Sequence, residues 1–89
     1  MGMITVDNGI RTYELTSKIG GHIVIGDFGA ENVIDIGMVS IRNAHGLGVS
    51  EWIRSVEEIE NHISTIKQTW WLTPSEREEC IDFLHSIKS

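Results

Sequence analysis

The most regular hydrophobic pattern in the chain lies between Ser55 and Trp71. Apolar side chains recur there at spacings of three and four, with charged and polar side chains between them. The apolar set comprises Val56, Ile59, Ile63, Ile66 and Trp70. Because this spacing places the set on one stripe of a helix, the segment predicts an amphipathic helix over 55–71. Ser55 and Glu58 have the spacing of a capping box and predict its N-terminus.

A second helix is predicted over 73–88. Thr73 is a typical N-cap residue, Pro74 is favoured at the first helical position, and Glu76 completes a second capping box. The apolar stripe that follows contains Cys80, Ile81, Phe83, Leu84 and Ile87. Both predicted helices therefore need an apolar surface to pack against.

Asn8-Gly9 separates two short runs of strand-forming residues at the start of the chain. This dipeptide is typical of a type I′ turn, which joins two antiparallel strands in a tight hairpin. The turn places Val6 opposite Arg11 and, by alternation, predicts one apolar face that points to the core. That face comprises Ile4, Val6, Tyr13 and Leu15.

Two longer apolar runs predict the centre of a sheet. The first, 22–28, is apolar on both alternation phases, as expected of a central strand. The second, 33–42, changes its apolar phase at Gly37, so it either contains a bulge there or is apolar on both faces. A last strand around Val49 and Ile53 gives a sheet of four or five strands.

Strands are predicted within 1–53 and helices beyond, with no alternation between the two. This order predicts an α+β fold, in which an antiparallel four- to five-stranded sheet is covered on one face by a C-terminal αα-hairpin. With 89 residues, the chain is expected to form a single domain, 1–89, with a small core.

The charge balance limits the possible partners. Seven basic and 13 acidic residues give a formal net charge of −6, which opposes long-range attraction to nucleic acid and to anionic membranes. The sequence contains neither a secretory signal nor a long apolar run, and its one cysteine, Cys80, cannot form an internal disulfide. We therefore expect a cytoplasmic protein that does not bind membranes.

No motif of a known catalytic or cofactor site is present. The four histidines lack the spacing of a zinc site, and there is neither a nucleotide phosphate loop nor a serine-nucleophile motif. Cys80 lies on the apolar stripe of the second helix, which favours a buried hydrophobic role over a nucleophile. We expect a protein that is not an enzyme and that binds no metal or cofactor; a small hydrolase or metal-dependent enzyme is the third hypothesis.

Arg42, Asn43 and His45 form the first candidate site. They bring a guanidinium, an amide and an imidazole to a turn whose backbone can approach a small anionic ligand. Arg54 is expected at the same end of the sheet if the strand before it pairs with its predecessor. The alternative is a solvated turn with surface charges.

Tryptophans form the second candidate site. Trp52 has the opposite phase to Val49 and Ile53, which places it on the far face of the sheet, where aromatic side chains commonly anchor protein interfaces. Trp70 and Trp71 are adjacent and cannot share one helix stripe. Either Trp70 fills the core and Trp71 packs between the helices, or one of them, Trp71 in our prediction, contacts a partner.

The layout of a small sheet followed by a helix resembles that of transcriptional coactivators that bind single-stranded DNA as dimers. Basic and aromatic residues across the sheet carry binding in such domains. The basic residues expected near this sheet are Arg11, Lys18 and Arg42. The resemblance implies the second functional hypothesis, a module that binds single-stranded nucleic acid on the sheet.

The first functional hypothesis is a non-catalytic binding or regulatory protein of the kind that phages and mobile elements encode. It would bind and block a host protein through an acidic or aromatic surface, or sequester a small anionic ligand. We also expect it to act as a homo-oligomer, because two helices cover only one face of a sheet whose other face is predicted to be apolar. Val24 and Val39 are the residues expected to contribute to that uncovered face.

Overall fold

A computed structural model describes residues 1–29 and 34–87 of the chain. An antiparallel sheet comes first and two helices follow, which confirms the predicted α+β class. Within the described residues the strands are β1 (Met3–Asp7), β2 (Ile10–Thr16), β3 (His22–Asp27), β4 (Gly37–Arg42) and β5 (Gly48–Ile53). The helices are α1 (Val56–Gln68) and α2 (Pro74–Ser86). The strands pair in chain order, so β1 and β5 are the two edges of the sheet.

The first hairpin has the predicted turn and register. Asn8 and Gly9 both have positive φ, 51° and 78°, as a type I′ turn requires. Val6 pairs with Arg11, as the two-residue turn predicts, and Ile4 pairs with Tyr13. The local sequence is therefore sufficient to set this pairing.

The two helices cover one face of the sheet, which we call the inner face. Its buried side chains are Tyr13, Leu15, Ile23, Ile25, Val39, Ile41 and Ile53. The helices contribute Ile59, Ile63, Ile66, Cys80, Phe83 and Leu84 to the same core, and Ile87, directly after α2, also belongs to it. The opposite surface, which we call the outer face, is not covered by either helix, so the predicted one-sided arrangement is confirmed.

The inner face of β1 lies outside this core. Ile4 and Val6 are on the same face as Tyr13, as predicted, but they are 55% and 67% exposed. The reason is the position of the helices, since α2 packs on β2 and β3 and α1 packs on β5. The expectation that Ile4 and Val6 point into the core is therefore wrong.

The start of β4 explains the change of phase at Gly37. The carbonyl of Ile53 accepts a hydrogen bond from the amide of Ile36 at 2.8 Å, although Ile53 is the register partner of Gly37. Two consecutive residues thus oppose one, which is the arrangement of a β-bulge. Ile36 is buried before the bulge and Val39 after it. Val33, predicted at the start of this strand, lies outside the described residues.

The bulge also contradicts one basis of the predicted self-association, namely that β4 adds apolar side chains to the uncovered face of the sheet. Val39 belongs to the covered inner face and is 1% exposed. The outer positions of β4 are Met38, Ser40 and Arg42, which makes that side of the strand largely polar. β4 is therefore not apolar on both faces, and Val39 cannot belong to an exposed patch.

Helix α1 begins without the predicted capping box. Ser55 makes no side-chain cap hydrogen bond, and the Glu58 carboxylate instead accepts from the amide of Arg54 at 2.9 Å. The helix ends at Gln68, three positions before the predicted end at 71. Trp70, expected on its apolar stripe, is consequently 80% exposed in the connection to α2.

Helix α2 has the predicted capping box. The Thr73 hydroxyl accepts from the amide of Glu76 at 3.2 Å, and the Glu76 carboxylate accepts from the amide of Thr73 at 2.9 Å. From the next turn, Arg77 donates to the carbonyls of Thr69 and Leu72. The start of α2 therefore also satisfies backbone groups in the connection between the helices.

The N-termini of α1 and α2 provide a matched test of helix capping. Thr73→Ala removes an oxygen that accepts a backbone N–H, so it should lower the free energy of unfolding by about 1 kcal/mol. Ser55→Ala removes no such bond and should change it by less than about 0.5 kcal/mol. Chemical denaturation of both variants measures the difference. Equal losses of unfolding free energy in the two variants would contradict the difference between the Thr73 and Ser55 caps.

The turn at Gly9 provides a test of backbone strain alone. A Cβ at this position would meet no heavy atom within 4 Å, so Gly9→Val has room but must adopt a positive φ. The cost should be about 1–2 kcal/mol of unfolding free energy. Asn8→Gly, whose φ glycine adopts freely, is the control and should leave stability nearly unchanged. A Gly9→Val variant with the parent's denaturation midpoint contradicts the turn's role.

Candidate functional site

The predicted site at the β4–β5 turn is occupied by its own hydrogen bonds. The Asn43 side-chain oxygen accepts from the amides of His45 at 2.9 Å and Leu47 at 3.1 Å. The Arg42 guanidinium donates to the carbonyl of Gly46 at 3.2 Å and to the Ser50 hydroxyl at 3.0 Å. These groups build the turn, so they do not form an open cradle for an anion.

Arg54 is at the opposite end of the sheet from that turn. β4 and β5 form an antiparallel hairpin in which Arg42 pairs with Gly48 and Gly37 pairs with Ile53. The residue that follows Ile53 therefore lies beside the start of β4, about one strand length from the turn. The expectation that Arg54 joins Arg42 is wrong, because the pairing it assumed brings Arg54 to the other end.

The tryptophans have different environments. Trp52 is on the outer face, as predicted, with its ring 6.0 Å from that of Phe28 and 54% of its surface exposed. Trp71 packs against the core, and a Cβ at Gly21 would collide with its ring. Trp71 is thus a packing residue, and the adjacent Trp70 has the more exposed ring.

A groove between β5 and α1 contains two of the predicted site residues. We call it the β5–α1 groove, and it is lined by Glu51, Trp52, Arg54, Glu58, Asn61, His62 and Thr65. Its volume is about 350 Å³, which is in the range of ligand pockets. The groove thus combines Trp52 and Arg54 with residues of α1.

The groove carries carboxylates on both of its walls. Glu51 occupies an inner-face position opposite Val39, and Glu58 is on the first turn of α1. The Arg54 guanidinium is 3.6 Å from the Asp35 carboxylate, which lies outside the groove lining. His62 is 7% exposed on the α1 wall. The groove lining therefore contains two carboxylates, Glu51 and Glu58, and one guanidinium, Arg54.

The open main-chain edge of β5 runs along this groove. The carbonyls of Leu47 and Ile53 accept from the amides of Asn43 and Ile36, so both point toward β4. Backbone direction alternates along an antiparallel strand, which directs the N–H and C=O groups of Ser50 and Trp52 to the open edge. An extended peptide can therefore pair with β5 while its side chains enter the groove.

Sequence reasoning missed most of the groove, including Glu51, Glu58, Asn61, His62 and Thr65. One signal was available in the sequence of β5. Val49, Glu51 and Ile53 share the inward phase of that strand, so a charged residue occupies a position where an apolar one is expected. An inward-pointing charge is a recognised feature of edge strands. The contribution of α1, in contrast, depends on how that helix packs.

The single cysteine has a packing role. Cys80 is 0% exposed and donates to the Tyr13 hydroxyl at 3.8 Å, and Tyr13 in turn donates to Glu79 at 3.2 Å. Burial raises the pKa of the Cys80 thiol to about 11, although the hydrogen bond with Tyr13 acts in the opposite direction. A thiol with such a pKa is a poor nucleophile at neutral pH. Within residues 1–29 and 34–87, no three His, Cys, Asp or Glu side chains are placed to hold a metal ion.

Comparison with protein-family models, with curated proteins and with solved structures returned no match. Neither α1 nor α2 is long and apolar enough to cross a membrane.

Tyr13 is the only tyrosine of the chain, so its ionisation can be followed directly. Burial, followed by the neighbouring Cys80 thiol, raises the pKa of Tyr13 well above its ordinary value. Both groups are harder to ionise in the folded state, so their contribution to stability is complete at neutral pH and is lost as pH rises. For Cys80 the loss should begin near pH 9 and extend beyond pH 11.

We predict that tyrosinate absorbance appears only together with alkaline unfolding. The unfolding free energy should fall from about pH 9 upward. Cys80→Ala should keep the delayed tyrosine titration, because burial is its main cause, but should show a weaker pH dependence of stability. Spectroscopic pH titration beside circular dichroism measures both. Tyrosine ionisation near its ordinary pKa in a folded protein contradicts the prediction.

Proposed function

We propose that this protein is a non-catalytic binding protein that captures an extended, basic segment of a partner protein in the β5–α1 groove. The observation that carries the proposal is the position of Glu51, an inward-pointing carboxylate beside the open edge of β5. The captured segment adds to the sheet as a further strand, a common mode of peptide recognition.

Main-chain and side-chain contacts have separate roles in this binding mode. The backbone groups of Ser50 and Trp52 pair with the added strand and supply affinity that does not depend on its sequence. Alternate side chains of that strand enter the groove, where a lysine or arginine meets Glu51 and Glu58. A carboxylate in the same position meets like charges and is disfavoured. The groove therefore selects a basic segment.

The charge distribution supports a basic protein partner over the other ligands considered. The net charge of −6 steers basic partners toward the protein and repels polyanions. Among the basic residues expected on the sheet, Arg11 is on the inner face and donates to Asp27 at 2.7 Å and to the Ser86 hydroxyl at 2.7 Å. Arg42 is engaged in its own turn. Of the three basic residues expected near the sheet, Arg11 and Arg42 are therefore already engaged, which leaves Lys18 to meet a small anion or a nucleic acid strand.

A capture of this kind blocks the bound segment of the partner, as we expect of a small inhibitor encoded by a phage or mobile element. We include in the proposal that the protein comes from a phage or mobile element and that it acts in the cytoplasm. The cytoplasmic setting is supported by Cys80, which is a free and buried thiol.

The proposal is tested with two synthetic peptides of about ten residues, a length typical of strands. One alternates threonine with lysine and the other alternates threonine with glutamate. The lysine peptide should bind, with new amide protection at Ser50 and Trp52, and the glutamate peptide should not. Glu51→Lys should weaken lysine-peptide binding by roughly tenfold and allow the glutamate peptide to bind.

Glu57→Lys is the matched control for net charge, because Glu57 is exposed on α1 and does not line the groove. It should change binding far less than Glu51→Lys. Equal effects of the two variants, or equal binding of both peptides to the parent protein, would overturn the groove proposal. Salt-sensitive binding of a thymidine oligonucleotide would favour the nucleic-acid hypothesis instead.

A further inference from the structure

The two edges of the sheet are protected to different extents. β5 has the inward-pointing Glu51, a charge that disfavours pairing with an apolar strand and leaves this edge to the basic segment proposed above. β1, with the sequence MITVD, contains no lysine or proline, pairs regularly with β2, and has a single charge at its end, Asp7. Every side chain of β1 is exposed. An edge with these properties is a template for another strand.

The inner surface of β1 is also apolar and uncovered. Ile4 and Val6 are more than half exposed on it. A groove of about 320 Å³ separates this part of β1 from α2, and its apolar lining includes Ile4, Tyr13 and Phe83. The apolar side chains of β1 are thus left uncovered by α2.

We infer that β1 pairs with β1 of a second copy of this chain, antiparallel, about a two-fold axis that passes through Thr5. The closing residues of a two-residue hairpin, here Asp7 and Ile10, are hydrogen-bonded to each other. By alternation, the backbone groups of Ile4 and Val6 point to the open edge. Each of them can donate and accept a hydrogen bond across the axis.

One register of β1 against β1 of the second copy is compatible with the contacts of the described residues. An axis at Ile4 would require the backbone of Gly2, whose amide already donates to Glu79 at 2.8 Å. An axis at Val6 would require Asn8, which is in the turn with positive φ. With the axis at Thr5, the whole of β1 pairs with its copy and both obstacles are avoided.

Side-chain complementarity identifies a second copy as the occupant. In the register centred on Thr5, Ile4 is opposite Val6 of the second copy on the inner face, and the reverse pair is formed by symmetry. Asp7 is opposite Met3 of the second copy, so no like charges face each other across the interface. Apolar pairs therefore replace exposed side chains at both positions, and the sheet becomes continuous through the dimer.

This interface differs from the one expected from the sequence, which used the outer face of the sheet. On β2 and β3 that face presents the polar side chains of Thr12, Glu14, Thr16 and His22. Ile10 and Val24, the latter predicted to belong to an exposed patch, are the apolar residues on the same face of these strands, and Val24 is only partly exposed. The edge-to-edge dimer leaves the outer face exposed. It also leaves the β5–α1 groove free in both copies, so the two proposals can fail independently.

Sedimentation over a range of concentrations tests the dimer. The parent protein should sediment as a dimer of the 10.0 kDa chain. Val6→Pro removes an outward N–H without removing a bond to β2, so it should raise the dimer dissociation constant by about tenfold or more while circular dichroism stays native. Ser50→Pro removes an outward N–H at the other edge, together with the hydroxyl that accepts from Arg42, and should leave the dimer intact.

A cross-linking pair keeps the test decisive if Val6→Pro fails to fold. Thr5 is opposite its own copy across the axis, in a pair whose Cα atoms are about 4.5 Å apart, within the range of a disulfide. Thr5→Cys should therefore form a disulfide-linked dimer under mild oxidation. Met3→Cys, on the same strand face but opposite Asp7, should not. The native Cys80 is buried and does not interfere.

The inference is overturned if the parent protein is a monomer at all concentrations. It is also overturned if Ser50→Pro dissociates the dimer and Val6→Pro does not, or if Met3→Cys cross-links as readily as Thr5→Cys. A parent dimer together with selective cross-linking through Thr5→Cys supports it.

Discussion

The packing of α1 and α2 on the inner face of the sheet is the interaction on which the rest of the structure depends. Paired side chains form rows across the strands, and the central row contains Ile4, Tyr13, Ile25, Val39 and Glu51. Its three middle members are almost fully buried under the helices, whereas the first and last are exposed. The helix pair thus determines where the core ends and where binding surfaces begin.

The two ends of that row have different chemistry, and this difference separates the two surfaces that we assign. At the β5 end, Glu51 and Glu58 line the groove that we propose binds a basic segment. At the β1 end, Ile4 beside Val6 offers an apolar, uncharged edge that complements itself. An open sheet keeps both edges available for hydrogen bonding, so side-chain charge decides which strand each edge accepts.

A polar contact connects the sheet to the end of α2 and limits the choice of functions. The Arg11 guanidinium donates to Asp27, which is buried, and to the hydroxyl of Ser86, and it also lies 4.9 Å above the Phe83 ring. A cation in such contacts stabilises the docking of α2 on the sheet. Arg11 is at an inner-face position, so it is not available on the outer face, where a bound nucleic acid would need it.

The sequence by itself determined most of the features that depend on neighbouring residues, although the capping box predicted at Ser55 did not form. These are the Asn8-Gly9 turn with its register, the capping box of α2, and the order of strands and helices that defines the fold class. Each arises from bonds or side-chain alternation within a few positions, which no distant contact overrides. Trp52 and Arg54 were predicted site residues and line the groove, whereas Glu51, Glu58 and His62 were not predicted. Only the tertiary structure decided which residues meet across β5 and α1, because that proximity depends on how elements distant along the chain pack together.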